Sequence, residues 1–208
     1  MRSASMTAVA LALSLALGAA RADDADALAH ATAVRLAVGV CGTCHGPHGV
    51  SQLPKYPRLA GQNAAYLTAQ LKAFRGQTRG DPDAISYMWG MAGNLEDGTI
   101  DALAQYYSSQ TAAGGRGGGD AALIARGKEI YDKGVEQVGV PACAACHGPD
   151  AHGMADFPRL AGQHQQYILK QLNSFQSNMR KVAVMHGVAQ GLKTEEMTAV
   201  AAYLESQP

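Results

Sequence analysis

Two short runs carry the chemistry of this sequence: Cys41-Gly42-Thr43-Cys44-His45 and, about a hundred residues later, Cys143-Ala144-Ala145-Cys146-His147. Two cysteines spaced by two residues and followed at once by histidine form the attachment signature of a c-type haem. The spacing matches the separation of the two vinyl groups of one porphyrin, and the adjoining imidazole becomes the proximal iron ligand. The runs use all four cysteines of the 208-residue chain. They point to two covalently attached haem c groups, anchored by Cys41, Cys44, Cys143 and Cys146 and ligated by His45 and His147. Two other chemistries use cysteine pairs. Disulfides are common in exported proteins but do not require the adjacent histidine. A zinc site built on C-x-x-C needs further ligands at similarly short spacing, and none is evident beside either run.

The sixth iron position separates electron transfer from ligand binding or catalysis, because a closed His–Met site leaves no open coordination. The first half offers Met88 and Met91; the second offers Met179, Met185 and Met197. Setting Leu95 on Leu192 aligns Met88-Trp89-Gly90-Met91 with Met185-His186-Gly187-Val188. Val188 cannot bind iron, so the alignment selects Met88 and Met185 as axial ligands, with Met91 the alternative for the first haem. Taken singly, each methionine reads as core filler; matching placement in both halves favours ligation. His186 faces Trp89 in the alignment and is expected not to ligate. His48, His152 and His164 are expected to face solvent or make hydrogen bonds.

A proximal imidazole usually donates its remaining N–H to a carbonyl, and Pro57 and Pro158 are candidates to supply it. Arg58 and Arg159 are candidates to pair with haem propionates, and Tyr66 and Tyr167 to hydrogen-bond to them. The alternative makes the arginines solvated and the tyrosines ordinary helix-packing residues.

The elements that position these groups come in two copies. Pro57-Arg58-Leu59-Ala60-Gly61-Gln62 returns as Pro158-Arg159-Leu160-Ala161-Gly162-Gln163, and Tyr66, Gln70, Leu71 and Phe74 return as Tyr167, Gln171, Leu172 and Phe175. The chain therefore reads as two tandem units, residues 23–110 and 120–208, joined by a Gly-rich linker at 111–119 that is flexible by composition. Both units are all-α. Apolar residues at helical spacing predict helices from Ala27 to Val38, after Asn63, after Asp97, from Ala121 to Asp132, through Tyr167, Ile168, Leu172 and Phe175, and after Thr194. Asn63, Asp97 and Thr194 are the expected N-caps, and Gly127 allows close approach of a second helix. Units this small bury little apolar surface unaided, so the cofactor-free chain is expected to fold poorly.

The first 22 residues read as a secretory signal peptide. Arg2 is its positive start, Met6 to Leu17 its apolar run and Ala20-Arg21-Ala22 its cleavage site. No later stretch reads as a membrane span, so the expected location is the periplasm, with an uncleaved anchor as the alternative. Lys and Arg against Asp and Glu number 6 to 8 over 23–110 and 8 to 9 over 120–208. Neither half is a basic footprint, which argues against nucleic acid as a partner.

Taken together, the two C-x-x-C-H-G-P segments, the P-R-L-A-G-Q runs, the Y-x-x-x-Q-L-x-x-F helices and the methionine segments resemble the dihaem cytochrome c4 family. The resemblance spans nearly all of the expected mature chain. It implies two class I cytochrome c domains related by a pseudo-twofold axis, with the haems close across their interface and His–Met iron in each. It also implies a periplasmic electron carrier, not an enzyme, serving redox partners such as a terminal oxidase, a quinol-oxidising complex or a dehydrogenase. The alternative is a dihaem cytochrome subunit of a dehydrogenase such as a sulfide-oxidising flavocytochrome, since those subunits are similarly built. A dihaem peroxidase would need an open iron, which the paired methionines disfavour. Shortening at Asn178-Met179-Arg180-Lys181 and the changes at Gly98 and Lys193 depart from the family pattern. They bear on partner surface and potential more than on fold.

Overall fold

A computed structural model describes residues 24–116 and 119–208; the expected leader and its cleavage site lie outside these residues. The first helix, α1 (Asp24–His45), is rich in alanine, the strongest helix former, and buries Ala33 and Ala37. It runs on past the predicted end at Val38, through a π turn at Ala37–Cys41, and delivers the first haem motif on its last turn. By length and composition α1 is long and apolar enough to cross a bilayer, which corrects the expectation that nothing after the leader is. Its small alanines raise the hydropathy, while its inward face packs with Leu103, Ala104 and Tyr107.

Asn63 caps α2 (Ala64–Arg75) as expected, its side-chain oxygen accepting from the Tyr66 N–H at 3.1 Å. A second π turn, Ala84–Met88, leads into α3 (Trp89–Ala92). The half closes with α4 (Asp97–Ser108), whose buried stripe is Ile100, Leu103, Ala104 and Tyr107. The predicted cap is displaced by one residue. Glu96 occupies the N-cap position because the Asp97 carboxylate is held by Arg75 at 2.6 Å.

The second half repeats this plan with α5 (Ala121–Lys133), α6 (Ala144–His147), α7 (Gln165–Gln176), α8 (Ala183–Gln190) and α9 (Thr194–Ser206). Here α5 stops at Gly134, whose φ of 74° no branched residue would adopt cheaply, and a loop precedes Cys143. Within that loop Val135 and Val140 form an isolated antiparallel bridge. The core gathers Ile130, Tyr131, Ile168, Leu172, Met197, Val200, Tyr203 and Leu204. Gly127 lets α5 lie against α9, since a Cβ there would stand 2.0 Å from the Ala199 carbonyl oxygen. Thr194, expected to cap α9, is its first residue, preceded by Lys193. The Lys193 N–H donates to Glu196 at 2.8 Å.

The halves meet along the repeated P-R-L-A-G-Q runs. The Gln62 amide donates to the Arg159 carbonyl at 2.9 Å and accepts from its N–H at 2.7 Å. The Gln163 amide does the same to Arg58, with both contacts at 2.9 Å. This reciprocity is a local twofold. Although its composition suggests flexibility, the described part of the linker is held at the junction. The Arg116 N–H donates to Glu205 O at 3.0 Å, and its guanidinium reaches Gln52.

Candidate haem sites

Each C-x-x-C-H run occupies a single helical turn, which brings its two thiols and its imidazole to one place. His45 and His147 are buried. Their Nδ1 atoms lie 2.8 Å from the Pro57 carbonyl oxygen and 3.1 Å from that of Pro158. A carbonyl only accepts, so Nδ1 carries the proton and the Nε2 lone pair is left for a metal. Burial lowers both imidazole pKa values, outweighing the opposing effect of the proline carbonyls, which keeps the rings neutral. Burial also pushes the Cys41 thiol up and that of Cys143 up to about 11. No disulfide joins the four cysteines. Among the described residues no group of three or more His, Cys, Asp or Glu is arranged for a metal ion. Paired thiols beside a neutral, oriented imidazole fit a covalently attached haem better than a thiolate zinc site.

The methionines separate by environment. Met88 is half-buried and packs on the cluster of Phe74, Ala84 and Ala92, and Met185 is half-buried against the second core. Met91 and Met179 are exposed, at 56% and 44%, while Met197 is fully buried among core residues. His186 turns its Nδ1 to the Phe175 carbonyl at 2.7 Å. His164, grouped from sequence with His48 and His152, is fully buried and bonds to the Ser51 carbonyl of the other half at 3.0 Å.

The candidates for propionate contacts each have a protein partner. Arg58 is buried, its guanidinium donating to the Gly162 carbonyl across the junction. Arg159 reaches the Pro208 carbonyl at 2.7 Å. The Tyr66 hydroxyl accepts from Arg180 at 2.9 Å, and the Tyr167 hydroxyl accepts from Arg79 at 3.3 Å. Arg79 and Arg180 are buried and each reaches both Gln70 and Gln171 at 2.7–2.8 Å. The result is a second twofold-related network. Sequence reasoning missed these arginines, although they recur at the offset that relates Tyr66 to Tyr167 and Gln70 to Gln171. One acid breaks the symmetry: Asp81 pairs with Arg79 at 2.7 Å, whereas Val182 holds the matching place. Burial alone would raise the Asp81 pKa, but Arg79 holds it below the usual carboxylate range.

An all-α chain with one such C-x-x-C-H turn in each half, the imidazole of each turn steered by a proline carbonyl, has the architecture of a c-type cytochrome. The Cytochrome c family model matches residues 124–208. A cytochrome c4 of Stutzerimonas stutzeri is 38% identical over 87% of this chain and 90% of its own length. The solved cytochrome c4 of Acidithiobacillus ferrooxidans is 41% identical over 80% of this chain and 98% of its own, with a TM-score of 0.76. A thiosulfate dehydrogenase electron acceptor of Thiomonas intermedia is 36% identical over 81% of this chain and 78% of its own length. The chain belongs to the cytochrome c4 family. Membership implies covalently bound haem c.

Proposed function

We propose that the protein is a periplasmic dihaem electron carrier that passes electrons between respiratory partners without making or breaking substrate bonds. Residues 23–110 and 120–208 would be its two cytochrome units, 111–119 their linker, and residues 1–22 an export signal. Cys41 and Cys44 would anchor one haem, Cys143 and Cys146 the other. Each haem, when bound, supplies a one-electron ferrous–ferric couple. His45 and His147 would bind iron through Nε2 while Pro57 and Pro158 fix the rings. Met88 and Met185 would complete the coordination, keeping both oxidation states closed to exogenous ligands. The observation that carries this reading is the repeated imidazole held by a proline carbonyl, with a half-buried methionine in each unit.

The test replaces Met88, Met91 and Met185 singly by alanine in the holoprotein. Loss of the methionine–iron absorption band of one haem is expected in the Met88 and Met185 variants and not in the Met91 variant. Loss in Met91→Ala alone would overturn the assignment for the first haem, and rapid carbon monoxide binding by the native protein would overturn the closed-site reading. The similarity to a thiosulfate dehydrogenase electron acceptor favours a second reading, as the electron-accepting subunit of a dehydrogenase. Co-elution with a dehydrogenase on size exclusion supports that reading; a lone monomer supports the free carrier.

A further inference from the structure

The two halves differ sharply beside their histidine turns. In the first, Tyr56 stands edge-on to the His45 ring with centroids 6.3 Å apart, and Tyr87 stands edge-on to Tyr56 at 6.4 Å. The Lys55 ammonium lies 4.5 Å from the Tyr87 ring centroid and donates to its hydroxyl at 2.7 Å. This cluster ties the segment after the first haem motif to the π turn that ends at Met88.

Lys55 is exposed and makes no ion pair among the described residues. Asp83, a nearby acid, is taken by Lys170 of the other half. In the second half the corresponding positions are Asp156, Phe157 and Val184. Phe157 keeps the edge-on contact to His147 at 5.9 Å but has no hydroxyl, and Val184 is exposed. One end of the molecule thus shows a cation held over two phenols; the other shows a carboxylate beside apolar side chains.

We propose that the Lys55–Tyr56–Tyr87 cluster is the docking surface for a redox protein that carries carboxylates around its own cofactor edge. The inference rests on the electron-carrier reading and adds which end such a partner meets. Charge complementarity selects the partner: an outward cation beside the first histidine turn attracts a carboxylate face, while Asp156 repels it from the other end. Tyrosines supply large, rigid contact area and are frequent interface anchors. The contact with Tyr87 holds Lys55 over the rings, reducing the side-chain ordering that binding would otherwise require.

The experiment titrates the ¹⁵N-labelled, ascorbate-reduced holoprotein with an acidic, oxidised flavodoxin as the probe. Amide shifts are expected to concentrate at 51–57 and 84–88 and to vanish with added salt. Lys55→Gln should weaken binding about threefold and Lys55→Glu about tenfold, a graded response to charge, whereas Asp156→Lys should not weaken it. Shifts centred on residues 154–158, or equal affinity of all three variants and the wild type, would overturn the proposal. Concentration-dependent shifts at 51–57 without flavodoxin would overturn it in favour of self-association between the Lys55 and Asp156 ends. A holoprotein that ascorbate cannot reduce would instead defeat the electron-carrier reading, so the two failures are distinguishable.

Discussion

His164 is a buried titratable side chain at the junction of the two halves. Its Nε2 meets the Ser51 carbonyl, and its Nδ1 has no hydrogen-bond partner, with Glu205 3.5 Å away. Burial lowers its pKa, Arg58 and Arg116 add to that, and Glu205 opposes it. A base whose pKa is lowered on folding binds protons more readily when unfolded. Stability is therefore complete above about pH 6.5, the ordinary histidine value, and falls as pH drops from there toward the depressed folded value. Asp81, whose pKa is also lowered, loses its contribution only at more acid pH, near the carboxylate range. Urea unfolding of the holoprotein between pH 8 and pH 5 should show the decline. His164→Asn, which installs the residue found at the matching position 63, should remove most of it; an unchanged profile in the variant would refute the assignment. The role of His164 was not legible in sequence, because burial at a junction leaves no local pattern. The Pro57 and Pro158 carbonyl contacts were legible, because they sit at a fixed offset from each haem motif in both copies.

Helix α5 shows how one residue sets a packing distance. Gly127 faces α9 with no room for a side chain, and a Cβ would also meet Tyr203 at 2.8 Å. Gly127→Ala would ordinarily favour a helix by about 1 kcal/mol. Here the backbone of α9 is the obstacle, so overpacking should dominate and destabilise by about 1–3 kcal/mol. Thermal unfolding of the holoprotein checks the sign, and a raised midpoint would show that the helices can separate without cost. The close approach at Gly127 was anticipated from a glycine set within a segment of helical spacing. The continuation of α1 through a π turn into the first haem motif was not. The second half interrupts the same connection at Gly134, and composition alone does not say which copy keeps its helix unbroken. The one-residue displacement of the α4 cap has a similar origin, since Arg75 comes from another helix.

The duplication was visible in sequence as repeated words, but the way the copies grip each other was not. The P-R-L-A-G-Q run is legible only as a repeated word. Its glutamine earns its place across the junction, where it bonds to both backbone groups of an arginine in the other copy, much as a neighbouring strand would. Gln62 and Gln163 are buried, so truncating either one strands an N–H and a carbonyl that water reaches poorly. An unsatisfied buried group costs about 1–3 kcal/mol, and the twofold arrangement places the same loss on both sides. Gln62→Ala/Gln163→Ala should therefore weaken the coupling between halves while leaving each core of α-helices unchanged. In the holoprotein, calorimetry should resolve one cooperative transition for the wild type and two separated transitions for the double variant. The Tyr–Arg–Gln network still joins the halves through Arg79 and Arg180, so adding Arg79→Gln should separate the transitions further. A single transition with an unchanged midpoint in the double variant would mean that this second network alone unites the molecule.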